Sequence, residues 1–217
     1  MGGFELQVLS VNVATPRIIG EQAGEPVVSA IGKKPVEQPT IRVGATNLEG
    51  DAQANLLVHG GPDKAVYLYP ADHWAWWEKE HRLPCRPGGF GENLTTKGGD
   101  ETMVHIGDRF AWGEAVLEIA QPRVPCAKFQ LYTGRADAGG LMLLHGRCGW
   151  YFRVLREGVA PTVDARLTRV SESGGPTVRE AYSAAFDRRA DPVRRRAIAD
   201  APGLSTAWRK RLISAAS

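Results

Sequence analysis

Apolar and polar residues alternate with a period of two through much of the first 170 residues. In FELQVLSVNV, Phe4, Leu6 and Val8 fall on one face, which predicts a half-buried strand. WYFRVLREG sets Trp150, Phe152 and Val154 against Tyr151, Arg153 and Leu155 in the same way. VHIGDRFAWGEAVLEIA reads as two strands around Gly-Asp and Gly-Glu turns, with Leu117 and Ile119 facing one way. Residues 16–55 carry only short apolar runs, such as PTIRV, among scattered Pro, Gly and Thr. One helix interrupts the strands. PADHWAWWEKEHRLP predicts a helix that begins at Pro70 and ends before Pro84. Its tryptophans read as packing. His73 and His81 would lie about 12 Å apart along its axis, too far to share a metal ion.

After SESGGP, residues 171–176, the period becomes helical. Thr177 and Glu180 form a capping box, followed by Val178, Ala181, Tyr182, Ala185 and Phe186 at helical spacing. Asp191-Pro192 is an N-cap with proline at the first helical position. Gly203 ends that helix, and Ser205 caps a third with Trp208 and Leu212 on one face. The chain thus divides into a strand-rich body, residues 1–170, and a three-helix domain, residues 176–217. Three helices this short are marginal alone and predict docking on the body or on a partner chain.

Composition changes this picture little. Hydrophobic content of 43% and charged content of 24% exclude a disordered chain, and 25 Gly with 14 Pro fit a turn-rich fold. The net charge of +3 is uneven: residues 176–217 hold nine basic and four acidic residues, net +5, against −2 for the rest. Arg194, Arg195 and Arg196 wrap around one turn and define no single reading face, so no nucleic-acid partner is expected. Three cysteines without a CxxC pair make neither a disulfide framework nor a zinc site, and imply reduced thiols in the cytoplasm. MGGFELQVLSV lacks the pattern of a signal peptide, and no apolar run reaches membrane-spanning length. Walker A, HExxH and GxSxG patterns are absent. GGFGENL fails the dinucleotide fingerprint, because Leu94 stands at the third glycine.

Candidate chemistry centres on QPRVPCAKF. Pro125 holds Cys126 in a rigid, non-helical turn, and Arg123 and Lys128 are nearby cations that favour thiolate. A thiolate is a nucleophile and a soft metal ligand; an inert buried cysteine fits the same segment. Cys85 and Cys148 lack such a setting and read as inert. In VHGGPDKAVYLYP, Gly60 and Gly61 allow close backbone approach, His59 is a ligand or proton donor, and Asp63 and Lys64 fix polar groups. An ordinary turn accounts for Gly-Gly-Pro-Asp equally well. In RPGGFGENLTTKGGD, the amides around Gly91 suit an anion, while Glu92 and Asn93 either bind it or make structural hydrogen bonds. Lys33 and Lys34 in SAIGKKPV read as solvated surface.

Together HGGPDKAVYLYPADHW, GGFGENLTT and IGDRFAWGEAVLEIAQPRVPCAKF resemble the MOSC (molybdenum cofactor sulfurase C-terminal) family, in its YiiM-like branch. The resemblance runs over about residues 4–165, and residues 176–217 resemble the three-helix domain that follows in that branch. It implies a mainly β fold, a barrel with a few helices followed by the small helical domain. It implies a bound molybdenum cofactor, molybdenum–molybdopterin, with Cys126 as the metal-binding or sulfur-carrying thiol. Lys33 and His59 would join Cys126 in a catalytic Lys-His-Cys cluster. Asp51, in LEGDAQAN, matches another recurring polar position. The cofactor would be bound by Gly60, Gly61, Asp63, Lys64, Gly91, Glu92, Asn93, Arg123 and Asp51. The implied activity is molybdenum-dependent reduction of small N-hydroxylated compounds, including hydroxylaminopurine base analogues, with electrons from an external donor protein. A homodimer is also implied. The alternative is a sulfur or molybdenum-cofactor carrier with a persulfide on Cys126.

Overall fold

A computed structural model describes residues 3–54, 60–187 and 189–214. Seven strands close into a barrel: β1 (Glu5–Val13), β6 (Val66–Pro70), β7 (Leu94–Lys97), β8 (Arg109–Trp112), β9 (Ala115–Pro122), β10 (Trp150–Arg156) and β12 (Arg166–Ser171). Their order around the barrel is β12-β8-β9-β10-β6-β7-β1, and pairing of β1 with β12 closes the ring. Closure leaves no unpaired edge among these strands. Every neighbouring pair is antiparallel except β6 with β7, where Leu68, Tyr69 and Pro70 lie beside Leu94, Thr95 and Thr96. The predicted alternation holds: Leu6, Val8, Leu117, Ile119, Trp150 and Phe152 are all core residues. Strand β6 is buried at every position, because helix α1 (Trp74–His81) and the aromatic residues Phe90 and Trp77 cover its outer face.

Short ribbons complete the body. Strand β4 (Lys34–Pro35) extends β1, and β5 (Thr40–Val43) pairs with β11 (Gly158–Pro161). Strands β2 (Arg17–Gln22) and β3 (Glu25–Ser29) form a hairpin within the region that predicted only short runs. Its two turn residues, Ala23 and Gly24, both have positive φ, 53° and 83°, which matches the right-handed twist of a hairpin. The predicted helix start at Pro70 is corrected. Pro70 ends β6, residues Ala71–His73 form a 3-10 turn, and α1 follows. The proline extends the parallel pairing at a strand end, where its missing N–H costs nothing. His73 is structural: its Nε2 meets Glu101 at 2.8 Å, and Arg147 donates to its Nδ1 at 3.0 Å.

Helices α2 (Ala127–Thr133) and α3 (Ala138–His145) connect β9 to β10. The tail forms α4 (Val178–Phe186), α5 (Pro192–Ala199) and α6 (Thr206–Ser214). The Thr177–Glu180 capping box is present, as are the Asp191 and Ser205 caps. Residues Ser173 and Pro176 are pinned to Asp108 and Ile106, and Ser205 bonds to Ala120 and Gln121 of β9. Val178, Ala181, Tyr182, Trp208 and Leu212 join the barrel's core, so the tail docks on the body. Arg195 points inward and donates to the carbonyl oxygens of Ala184 and Asp187, which separates it from the exposed Arg194 and Arg196. Among the described residues no helix is long and apolar enough to cross a membrane.

Candidate active site

Strand β9 delivers Arg123 to the barrel rim, where its N–H bonds to Gly149 O at 3.2 Å. The chain stays extended through Pro125 and Cys126 (φ −113°, ψ 163°), and α2 begins at the next residue. Segment 29–33, the 52–54 stretch, Tyr67 of β6 and the 90–91 loop face this turn. Between them lies a cavity of about 90 Å³, open to solvent, lined by Lys33, Arg123 and Cys126, among others.

Lys33 corrects the expectation of a solvated surface residue. It is buried, and its Nζ pairs with the carboxylate of Asp51, whose side chain is fully buried. Asp51 also accepts from Ala14 N–H at 2.9 Å and Asn93 Nδ2 at 3.0 Å. The adjacent Lys34 is exposed, because consecutive side chains of an extended segment point to opposite faces. Gly88 makes the inward position possible. It has φ +72°, its carbonyl accepts from Lys33 N–H at 3.1 Å, and a Cβ there would lie 2.2 Å from Lys33 O. Burial lowers the pKa of Lys33, with the attraction of Asp51 opposing that shift.

Arg123 is the second buried cation, and its partners are different. Nη1 donates to Met142 Sδ at 2.9 Å and Nη2 to Phe90 O at 3.3 Å, and the guanidinium lies 5.2 Å from the ring centres of both Tyr67 and Phe129. Among the described residues no carboxylate lies within ion-pair distance of it. Burial opposes its charge, and the groups that raise its pKa against burial, led by Tyr67 and Tyr151, are phenols that burial itself keeps neutral near pH 7. Cys126 is half-buried and outside any disulfide. The cavity is therefore a positively biased pocket with one thiol at its wall. Cys85 and Cys148 lie elsewhere, and burial pushes the thiol of Cys85 up to about 12 and that of Cys148 well above its ordinary value. Both fit the inert reading.

Residues 55–167 match the MOSC domain family. Over 202 residues the chain is 38% identical to protein YiiM of Escherichia coli strain K12, covering 91% of this chain and 88% of that protein. The chain belongs to the MOSC family, in its YiiM-like branch. The crystal structure of YiiM from Geobacillus stearothermophilus superposes with a TM-score of 0.81 at 30% identity, over 98% of this chain and all of that one. A longer relative from Gibberella moniliformis, named a reductase, is 35% identical over 154 residues, which is 68% of this chain but 27% of that protein.

In this MOSC barrel the remaining expected positions separate into groups. Gly91 lines the cavity. Glu92 and Asn93 take the structural alternative. The Glu92 carboxylate accepts from Gly88 N–H at 2.8 Å, Phe90 N–H at 2.9 Å and Thr95 Oγ1 at 2.7 Å, and burial pushes its pKa up to about 7. Asn93 accepts from Tyr67 N–H at 3.1 Å and donates to Asn12 O and to Asp51. Asp63 pairs with Arg153 at 2.7 Å, and Arg153 in turn meets Glu118 at 2.9 Å. Gly61 (φ 97°) opens the turn that places Lys64, whose pKa burial lowers against the pull of Asp63. Gly60, Gly61, Asp63 and Lys64 are not among the described lining residues. His59 lies outside the described residues. Tyr67 and Phe90 are wall residues that nothing in the motifs above singles out. The aromatic alternation in VYLYP was the available signal for Tyr67.

Proposed function

We propose that this MOSC protein holds the molybdenum cofactor in the cavity bounded by Lys33, Arg123 and Cys126, and reduces N-hydroxylated compounds, hydroxylaminopurine analogues among them, in the cytoplasm. The observation that carries this reading is Arg123, a buried guanidinium without a carboxylate partner among the described residues, beside a half-buried thiol. A buried charge without a counterion is costly, so the site favours an anionic occupant. A pocket with one soft ligand suits a metal that arrives with ligands of its own. Molybdenum–molybdopterin fits both demands, being anionic at its phosphate and soft at its metal.

When bound, the cofactor supplies two-electron redox chemistry. Cys126 would hold the metal. Arg123 would balance the cofactor's negative charge, with the backbone at Gly91 close to the wall. Reduction of R–NHOH consumes two electrons and two protons and releases R–NH2 and water. Lys33 is the described residue best placed to hold a proton for the departing oxygen: it lines the cavity, its pKa is lowered, and Asp51 fixes its Nζ. His59 is the second expected donor. Electrons come from a separate donor protein. The fungal relative's name, a reductase, supports the redox reading.

The test is metal analysis of protein made in a host that builds the molybdenum cofactor, wild type beside Cys126→Ala, followed by reduction of hydroxylaminopurine. About one molybdenum per chain in the wild type, little in the variant, and turnover only in the wild type are expected. Equal molybdenum in both would remove Cys126 as the anchor. Cyanide-releasable sulfur on Cys126 in protein that binds no molybdenum would replace this reading with the sulfur carrier.

A further inference from the structure

The reductase reading requires electrons to enter at the cavity mouth, and the surface there has a distinctive chemistry. Arg17, Arg86 and Lys128 all gather around segment 28–34. Arg17 Nη2 donates to Gly32 O at 3.1 Å, and Lys128 Nζ donates to Val28 O at 2.6 Å. Arg86 donates to the hydroxyl of Tyr132, whose ring sits so close to Gly32 that a Cβ there would be 2.4 Å away. Ile31 and Lys33, on either side of Gly32, line the cavity, as does Lys128. Among the described residues none of the three cations has a carboxylate within ion-pair distance. Their heads are held by neutral groups, so their charge is fixed in place and uncompensated. The hairpin acids Glu21 and Glu25 are at the far, turn end, whereas Arg17 pairs with Ser29 at the cavity end.

Beside Arg17 the hairpin exposes an apolar pair. Ile18 and Val28 face each other across β2 and β3 and are 64% and 41% exposed. A small anion gains nothing from such a pair, but a protein surface does.

We propose that this rim, Arg17, Arg86 and Lys128 with Ile18 and Val28, is the docking face for an acidic electron-carrier protein; this rests on the reductase reading. Fixed, unpaired cations steer an acidic partner and set its orientation, and the apolar pair gives the docked complex a dry contact. The carrier's redox group then faces the mouth. With a reduced flavin as carrier group, R–NHOH plus the flavin hydroquinone gives R–NH2, water and oxidised flavin, so electrons and protons balance.

The experiment uses the cofactor-loaded protein and a flavodoxin as the acidic carrier, with cytochrome c as a basic carrier of similar size. Binding of oxidised flavodoxin is measured at low and high salt for the wild type, for Arg17→Glu/Arg86→Glu and for Ile18→Ser. We expect salt-sensitive flavodoxin binding that weakens by about tenfold or more in the charge-reversed variant, a smaller loss in Ile18→Ser, and weak cytochrome c binding throughout. Turnover driven by reduced flavodoxin should fall in parallel, while turnover driven by reduced benzyl viologen, which needs no docking, stays at the wild-type rate. Equal flavodoxin binding by wild type and Arg17→Glu/Arg86→Glu, or equally tight cytochrome c binding, would overturn the docking face. Wild-type protein that carries molybdenum yet reduces nothing with viologen would overturn the reductase reading instead, and this inference with it.

Discussion

Asp51→Asn is the sharpest test of how the cavity is held together. Asp51 is a buried carboxylate with three donors directed at it: Lys33 Nζ, Ala14 N–H and Asn93 Nδ2. The amide keeps the size but removes the charge, and one donor must now face an NH2 group. Removing one partner of a buried ion pair costs about 3–5 kcal/mol, because the remaining charge is left uncompensated. At roughly 2–4 °C per kcal/mol for a chain of this size, Tm should fall by about 6–20 °C.

The pH dependence of that deficit has a definite sign. Lys33 already titrates below its ordinary value because burial outweighs the attraction of Asp51. Without Asp51 it titrates lower still. Between the folded and the unfolded value the unfolded chain binds the extra proton, so stability rises with pH across that window. The deficit of Asp51→Asn relative to wild type should therefore shrink as pH is raised from about 7 toward 10. Urea unfolding at both pH values measures it. The double variant Lys33→Met/Asp51→Asn should recover part of the loss, since it removes the uncompensated charge of Lys33 while the amide oxygen still accepts from Ala14 N–H. A deficit below about 1 kcal/mol at pH 7, or one that stays constant with pH, would refute the buried-pair argument.

Three further outcomes follow from the same geometry. Gly88→Ala places a methyl group 2.2 Å from Lys33 O at a φ of +72°; a thermal melt should show a loss of about 2 kcal/mol or more, whereas Gly174→Ala, also at positive φ but with open space around it, should cost about 1 kcal/mol. The folded pKa of Glu92, about 7, lies above its ordinary value. The folded state therefore holds the extra proton, and Glu92 makes the wild type lose stability as pH rises through that window; urea titrations at pH 5 and 8 should show this slope missing in Glu92→Gln. Arg123→Met removes an unbalanced buried charge, so urea unfolding of the metal-free protein should find its stability within about 1 kcal/mol of wild type or higher, while metal analysis finds molybdenum retention reduced.

The parts of the fold that were legible are those where burial is one-sided. Strands β1 and β10 bury alternate residues against the barrel core over most of their length, so their period of two survives in the sequence. The tail was legible through its caps, which are local chemistry between residues three apart. The β2–β3 hairpin was not, because it stands largely in solvent and no buried face imposes a pattern on it. The helix start at Pro70 was misplaced because a long-range parallel pairing with Thr96 decides the state of that proline. Lys33 was misread for a similar reason: what draws it inward is a carboxylate 18 residues away.

The site shows the same division more sharply. Motif residues such as Glu92 and Asn93 are chemically conspicuous, yet their side chains are consumed in holding backbone. Glu92 fixes the amides of Gly88 and Phe90, Gly88 O then holds Lys33 N–H, Lys33 pairs with Asp51, and Asp51 is held by Asn93, which also fixes Tyr67. Each link is an ordinary hydrogen bond or ion pair, but the chain of links ends at groups on the cavity wall. A polar residue in a glycine-rich motif is therefore ambiguous in sequence between binding a ligand and building the loop that binds it. What separates the two in the structure is satisfaction. The acids and amides of the network have their partners, while Arg123, buried beside Cys126, has no carboxylate among the described residues. The unbalanced charge marks where an external anion belongs, and only the assembled barrel reveals that the balance is missing there.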